Sequence, residues 1–190
     1  MRRVDGAVGA LLRAVDLERT AVVLLADHGE AFGEHRRHGH GSTLYDPQAR
    51  IPLLLSVPGL PPSEVDTPVA AIDATTTLLV LGGADASATD GLNLLPLAQG
   101  RRTSSERPIF LELHRYLSSR GTRTADLKGV VLGDWKLVVD RKRDTAALYD
   151  LRSDPNERRN RLATAPERAA LMRGMLDAFV HDAERDRPLP

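Results

Sequence analysis

The sequence predicts an α/β chain that closes with a small antiparallel sheet and one helix. Two short apolar runs, at 20–26 and 51–56, have the length and composition of buried strands and flank a polar loop. Four more strand-like runs follow residue 107, with turn residues between them. Stretches with apolar residues at helical spacing stand near both ends of the chain.

In the first half of the chain the predicted elements are a helix over 4–15, strands over 20–26 and 51–56, and a short helix over 73–80. Asp73 is placed as the cap of the second helix, because a carboxylate can accept the free N–H groups of a first turn. Gly82-Gly83 ends that helix, since glycine readily adopts the conformation that closes helices. Residues 84–107 are rich in Ala, Ser, Thr, Asp and Arg and predict an exposed connection.

In the second half strands are predicted over 108–113, 127–132, 135–139 and 147–149, followed by a helix from Pro166. Proline is favoured at the first position of a helix. The apolar residues of this helix recur on one face, so it should pack on the sheet. The predicted domains are 1–105, which is part of a larger α/β domain, and 106–190, which is a small α+β subdomain.

Charge and composition exclude several classes of protein. The 26 basic and 26 acidic residues cancel, so no basic surface predicts binding to nucleic acid or to an anionic membrane. The absence of cysteine excludes disulfides, thiolate metal sites and a cysteine nucleophile. The longest apolar runs are far shorter than the roughly 20 residues of a membrane-spanning helix. Without a signal-like segment at its start, the chain is expected to be cytoplasmic.

The loop between the first two predicted strands concentrates chemically active side chains. It holds three acids, Asp27, Glu30 and Glu34, and four of the six histidines, His28, His35, His38 and His40. Carboxylate and imidazole groups together bind divalent metals and transfer protons near neutral pH. Asp27-His28 directly follows a predicted strand, and α/β proteins bind ligands at the carboxyl ends of parallel strands. We therefore predict the functional site in this loop.

Short motifs in a fixed order carry a resemblance to a known family. The first block contains Asp-His-Gly-Glu at 27–30, Gly-Glu-His at 33–35, His-Gly at 40–41, Leu-Tyr-Asp at 44–46 and Arg-Ile-Pro-Leu at 50–53. The second block contains Gly-Asp-Trp-Lys-Leu at 133–137, Leu-Tyr-Asp-Leu at 148–151 and Asp-Pro-Asn-Glu at 154–157. In order and spacing, both blocks resemble the C-terminal portion of the sulfatase family, within the alkaline-phosphatase-like superfamily.

The resemblance implies a partial doubly wound alkaline-phosphatase-like sheet, followed by the small antiparallel sheet and helix. It implies hydrolysis of a sulfate ester of a small molecule or glycan at a divalent cation, with calcium expected first and zinc, manganese or magnesium as alternatives. Asp27 resembles a metal-binding carboxylate of the family, and His28 resembles the adjacent metal ligand. His40 stands near a residue that faces the ester, and is predicted as the catalytic residue that stabilises or protonates the departing oxygen.

Two parts of the family's site have no counterpart in this sequence. The family's nucleophile is made from Cys or Ser in a Cys/Ser-x-Pro-x-Arg motif. The nearest string here, Ser56–Leu60, lacks the Arg and is interpreted as structural. The paired acids that follow the family's first strand are also absent. The chain is therefore expected to carry half of the metal site, to be inactive alone, and to need an N-terminal half supplied upstream or as a separate chain.

Alternatives remain open for the function and for individual residues. One is a phosphomonoesterase, phosphodiesterase or phosphotransferase of the same superfamily, since Asp-His pairs bind zinc or manganese there. Another is a non-catalytic, truncated remnant. His35 and His38 are interpreted as solvated or supporting residues, and Glu30 and Glu34 as groups that satisfy backbone donors or orient histidines. Lys136 is interpreted as a residue on the surface of a strand.

Overall fold

The computed structural model describes residues 2–101, 107–117 and 122–185. Within these ranges the helices are α1 (Arg2–Arg13), α2 (Asp46–Ala49), α3 (Ala71–Leu81), α4 (Leu95–Ala98) and α5 (Pro166–Arg185). The strands are β1 (Val22–Leu25), β2 (Ala31–Phe32), β3 (His38–Gly39), β4 (Leu53–Ser56), β5 (Ile109–Leu117), β6 (Thr122–Leu132), β7 (Trp135–Asp140) and β8 (Thr145–Asp150). The predicted domain boundary between residues 105 and 106 lies outside the described residues, and that division stays a prediction.

The chain forms two compact units that alternate along the sequence. The first unit takes Met1–Ala26 and Pro52–Ser105, and the second takes Asp27–Ile51 and Glu106–Pro190. We call residues 27–51 the histidine loop. This loop therefore belongs to the same unit as the C-terminal sheet, although the strands that flank it in the sequence belong to the first unit.

The two strands of the first unit pair with each other. β1 and β4 run antiparallel, with Val22 opposite Ser56 and Leu25 opposite Leu53. Both predicted strands are confirmed, although each is only four residues long. The site was predicted at the carboxyl end of a parallel strand, but β1 and β4 are antiparallel, so that rule does not apply to them.

A buried acid organises the remainder of the first unit. The Asp73 carboxylate accepts the N–H of Ala70 at 2.8 Å and the N–H of Leu92 at 2.7 Å. Asp73 lies in the first turn of α3 and not at the cap position predicted for it, because the helix begins two residues earlier. At Gly91 an added Cβ would lie 2.2 Å from Thr76 Oγ1, so glycine allows this segment to approach the helix.

In the second unit, four antiparallel strands form a sheet in the order β5-β6-β7-β8. All four strands and the final helix are confirmed. Helix α5 covers one face, where the buried core consists of Val130, Leu137, Val139, Leu148, Ala169, Met172 and Leu176. Beside this core the rings of Phe110 and Phe179 stack with 4.1 Å between their centroids.

The histidine loop covers part of the opposite face of this sheet. Leu44 is buried and packs against Gly129 of β6, so closely that a Cβ on Gly129 would lie 3.2 Å from Leu44 Cδ1. Two short elements shape the rest of the loop, the β2–β3 pairing and the single-turn helix α2. Both faces of the sheet are thus in contact with other parts of the same unit. In the described part of the chain, no helix has the length and apolar character needed to cross a bilayer.

Candidate functional site

Asp27 and His28 present one carboxylate and one imidazole nitrogen to the same space. The Asp27 side chain is 90% exposed, and its Oδ1 lies 3.7 Å from Nε2 of His28. The other ring nitrogen, Nδ1, lies 2.9 Å from the carbonyl oxygen of Gly29. Because a carbonyl only accepts, Nδ1 carries the proton in this contact and Nε2 is left as the acceptor. This is the arrangement that metal-binding histidines commonly show.

His40 lies next to this pair. Its ring stacks on the ring of His28, with 3.8 Å between centroids and 27° between planes. Its Nδ1 lies 3.2 Å from Oε2 of Glu30, and both side chains are partly exposed. The structure therefore brings together the three residues predicted for the site, with Glu30 orienting one of them.

The other two histidines of the loop play different parts. His35 stacks on Tyr45, with 3.7 Å between centroids and 4° between planes, and its backbone is in the left-handed region at φ 50°. His38 lies on β3 and is exposed. The stacking of His35 on Tyr45 and the exposure of His38 are in keeping with a supporting or solvated role.

Glu34 satisfies backbone donors, as predicted. Its Oε2 accepts the N–H of Phe32 at 2.6 Å. Hydrogen bonds from its own N–H and from that of Phe32, with the nearby His38 and His35, hold the pKa of Glu34 below its usual value. The carboxylate therefore stays ionised in the folded loop and ties together the turn between β2 and β3.

The segment that contains Asp27, His28 and Gly29 rests on α2. The N–H of Gly29 donates to the carbonyl oxygen of Gln48 at 2.9 Å. A Cβ on Gly29 would lie 2.2 Å from the carbonyl oxygen of Pro47, so only glycine permits this approach. The buried side chain of Gln48 accepts the N–H groups of Ser42 and Thr43 at 3.1 and 3.0 Å. One residue of α2 thus holds the backbone on both sides of the site.

Helix α2 is in turn anchored to the C-terminal sheet by three charged residues. Nζ of Lys136 lies 2.7 Å from Oδ1 of Asp46 and 2.9 Å from Oε1 of Glu157. The N–H of Asp46 donates to Oε2 of Glu157 at 2.6 Å. The side chains of Lys136 and Glu157 are completely buried. Burial raises the pKa of Glu157, although the Lys136 ammonium and the Asp46 N–H act in the opposite direction.

The interpretation of Lys136 as a strand-surface residue is wrong. Lys136 lies on the face of β7 opposite to α5, and that face is covered here by the histidine loop. The alternation of side chains along β7 indicates the face on which Lys136 lies, but the sequence did not show that the histidine loop covers that face. A lysine inside the run Trp-Lys-Leu-Val-Val is the signal that points to a buried partner, because a buried cation needs an acid.

The donor set of Asp27 and His28 fits part of a divalent-cation site. Oδ1 and Nε2 are 3.7 Å apart, which is less than twice the usual calcium–oxygen distance of about 2.3–2.6 Å, so one ion can reach both. Among the residues that the structure describes, no group of three or more acid or histidine side chains is arranged to hold a metal. The described residues therefore offer two ligands, fewer than a stable site normally uses.

A family model and two similar curated proteins agree on one family. The family model described as Sulfatase matches residues 1–84. Arylsulfatase K of Xenopus laevis is 30% identical over 93% of this chain and 35% of its own length. Choline-sulfatase of Rhizobium meliloti (strain 1021) is 31% identical over 97% of this chain and 34% of its own length. The solved structure of a 2-O GAG sulfatase matches with a TM-score of 0.79 and 25% identity, over 97% of this chain and 41% of that chain. The chain thus spans about a third of the length of the curated relatives it matches.

Proposed function

This chain belongs to the sulfatase family, and we propose that it supplies part of the metal site and the leaving-group side of an enzyme that hydrolyses sulfate esters. The observation that carries the proposal is the pairing of Asp27 and His28, in which Nδ1 of the histidine donates to a backbone carbonyl and Nε2 faces the carboxylate. His40, stacked on His28 and held by Glu30, completes the group.

In this proposal the residues of the loop have distinct tasks. Asp27 and His28 would hold a divalent cation, and that ion when bound would supply Lewis-acid stabilisation of charge on a sulfuryl oxygen. Glu30 accepts the Nδ1 proton of His40 and so fixes the direction of its ring. A proton carried on Nε2 of His40 is donated to the ester oxygen as the sulfur–oxygen bond breaks. The nucleophile is supplied by a segment outside these 190 residues.

The choice of cation follows from the donor set. We propose calcium first, from the family, and it is satisfied mainly by oxygen ligands. One of the two donors is an imidazole, which suits zinc better than calcium. The same imidazole favours phosphate-ester hydrolysis as the second candidate function. Titration with each ion separates these cases.

The substrate class and the missing part of the site are also proposals. The names of two similar proteins, choline-sulfatase and 2-O GAG sulfatase, support a sulfated small molecule or glycan as substrate. The relatives are about three times as long as the matched region, which supports an N-terminal part that supplies the nucleophile. Apolar side chains of the first unit that are more than 40% exposed offer a surface for it, namely Val4, Leu11, Leu17, Leu54, Val65, Ile72 and Leu78.

Metal titration tests the proposal directly. We expect manganese to bind the chain weakly, with a dissociation constant on the order of 10⁻⁴ M or higher, because the described residues supply only two protein ligands. Asp27→Asn and His28→Gln should each weaken binding at least about tenfold. The matched control is His181→Gln, since His181 and Asp182 are also adjacent and exposed with 3.7 Å between Nδ1 and Oδ1. An equal loss in the control, or no loss in the two loop variants, would contradict the proposed site.

A further inference from the structure

We propose that Lys136 and Glu157 are positioning residues for the proposed metal site. They lie in the C-terminal part of the chain, and neither contacts Asp27 or His28. They act on the ligands through α2, whose residues 46–48 contact the ion pair at one end and the ligand segment at the other. This inference rests on the proposed function only where it concerns the metal. The effect of the ion pair on the backbone of the histidine loop does not depend on a bound metal.

The first link is the need of a buried cation for acids. The Lys136 side chain has no exposure to solvent, and its Nζ has the carboxylates of Asp46 and Glu157 at 2.7 and 2.9 Å. Water cannot replace either carboxylate at a site that excludes it, so separating Asp46 from Lys136 is strongly unfavourable. The N–H of Asp46 also donates to Glu157, so side chain and backbone of the same residue are both held. Two attachment points fix the direction of the chain as well as its position.

The second link joins α2 to Gly29, which directly follows the proposed ligands Asp27 and His28. The carbonyl of Gln48 accepts the N–H of Gly29, and the carbonyl of Pro47 lies against the Gly29 Cα. Gly29 is also the residue whose carbonyl oxygen lies 2.9 Å from Nδ1 of His28. A shift of α2 therefore moves the acceptor that orients the His28 ring. The distance from the ion pair to the ligand is covered by three consecutive contacts between named residues.

The third link joins α2 to the segment that follows His40. Oε1 of the buried Gln48 accepts two backbone N–H groups, those of Ser42 and Thr43. Its Nε2 donates to the Ser42 hydroxyl at 3.1 Å. The course of the chain just after His40 is thus fixed by the residue that also holds Gly29. Catalytic geometry is sensitive to displacements of about 1 Å, so this shared support is functionally significant.

Tyr45 provides a parallel attachment for the same segment. Its hydroxyl lies 3.4 Å from that of Tyr149 on β8, and its ring stacks on His35. Burial, together with the Tyr45 hydroxyl, raises the pKa of Tyr149, so Tyr149 remains a neutral phenol at neutral pH. Tyr45 is therefore held by an uncharged contact with Tyr149, and its neighbour Asp46 is held by the ion pair with Lys136.

The test separates positioning from general stability. Met172→Ala is compared with three variants of the ion pair. These are Lys136→Met, Asp46→Asn and the double variant Lys136→Met/Glu157→Gln, in which both buried charges are removed. Met172 lies on α5 and is fully buried against the opposite face of the same sheet, so it is the matched control. Hydrogen exchange is followed at the amides of Gly29, Ser42, Thr43 and Asp46, and manganese affinity is measured at one temperature well below every Tm.

We expect Lys136→Met and the double variant to speed exchange at these four amides at least about tenfold and to weaken manganese binding by a similar factor. Met172→Ala should lower Tm but leave both readouts within about twofold. Equal effects in Met172→Ala and Lys136→Met, or unchanged exchange in the Lys136 variants, would overturn the proposal. Asp46→Asn keeps the test decisive if Lys136→Met does not fold, because Asp46 is partly exposed. If the wild-type chain binds no manganese, the proposed function fails, while hydrogen exchange still decides the positioning role.

Discussion

Nζ of Lys136 lies 2.9 Å from Oε1 of Glu157, and neither side chain is exposed to solvent. Removing one partner leaves the other as an uncompensated buried charge, which typically costs about 3–5 kcal/mol. We therefore expect Lys136→Met to lower the free energy of unfolding by about that amount, and Lys136→Met/Glu157→Gln to recover at least about half of the loss. Urea unfolding followed by circular dichroism measures both. A loss below about 1 kcal/mol in the single variant would show that water or another cation takes the place of the Lys136 ammonium.

The raised pKa of Glu157 predicts how this pair responds to pH. Because burial raises the folded-state pKa above the ordinary value of 4.5, the native state binds more protons than the unfolded state between the two values. The contribution of Glu157 to stability is therefore fully present below pH 4.5 and is lost as pH rises through the raised pKa. The difference in unfolding free energy between wild type and Glu157→Gln should fall across that range. A difference that rises with pH over the same interval contradicts the assigned direction.

Gly29→Ala tests the close approach of the segment that contains Asp27 and His28 to helix α2. The new Cβ would meet the carbonyl oxygen of Pro47 at 2.2 Å, so the segment has to move away and lose its hydrogen bond to Gln48. We expect a loss of about 1–3 kcal/mol in stability and weaker binding of manganese. Gly174→Ala is the control, since a Cβ there meets nothing within 4 Å and alanine favours the helix by up to about 1 kcal/mol. An unchanged manganese affinity in Gly29→Ala would mean that α2 does not set the ligand geometry.

The purified 190-residue chain should not hydrolyse an aryl sulfate. No Cys/Ser-x-Pro-x-Arg motif is present to form the family's nucleophile, and Asp27 with His28 offers only two metal ligands. The assay uses 4-nitrophenyl sulfate with added calcium, manganese or zinc, and Asp27→Asn serves as the control for contaminating enzymes. Turnover that disappears in Asp27→Asn would refute the expectation and place a complete active site in this chain.

The two units should differ in their resistance to local opening. β1 and β4 form a two-stranded pairing with exposed Leu54, whereas β6 and β7 are central strands of a four-stranded sheet with a buried core. Two-stranded pairings are marginal in water, and exposed apolar surface favours association. We expect amides of β1 and β4 to exchange at least about tenfold faster than those of β6 and β7, and Leu54→Ser to reduce self-association. Equal protection in a monomeric chain would contradict this.

The sequence predicted the elements that rest on periodicity. The four C-terminal strands and α5 are confirmed because their apolar patterns face one core, in which Met172 and Leu176 pack on Val130 and Leu148. β1 and β4 are also confirmed, and they pair with each other. The direction of their pairing was not predictable, because an apolar run of four residues has the same pattern in parallel and antiparallel sheets.

The parts that the sequence did not predict depend on contacts between distant residues. Helix α2 is a single turn of four residues without apolar periodicity, and Gln48 is buried by the backbone groups that it holds. The burial of Lys136 depends on Asp46, which is 90 residues away in the chain. Residue type and spacing indicated the loop, and the resemblance to the sulfatase family singled out Asp27, His28 and His40 within it. The structure places these three residues together, but their roles in metal binding and catalysis remain predictions.

The same long separations set an order for events during synthesis. The contacts that hold α2 join Asp46 to residues 90 and 111 positions later, so they cannot form until the ribosome has released the chain beyond Glu157. Closing loops of this length is slow compared with forming the local strands and helices. The histidine loop is therefore synthesised early, whereas the contacts that hold it in place form late. A nascent chain shorter than this carries Asp27 and His28 without the support that orients them, and a premature stop before residue 157 removes that support while leaving both ligands in place.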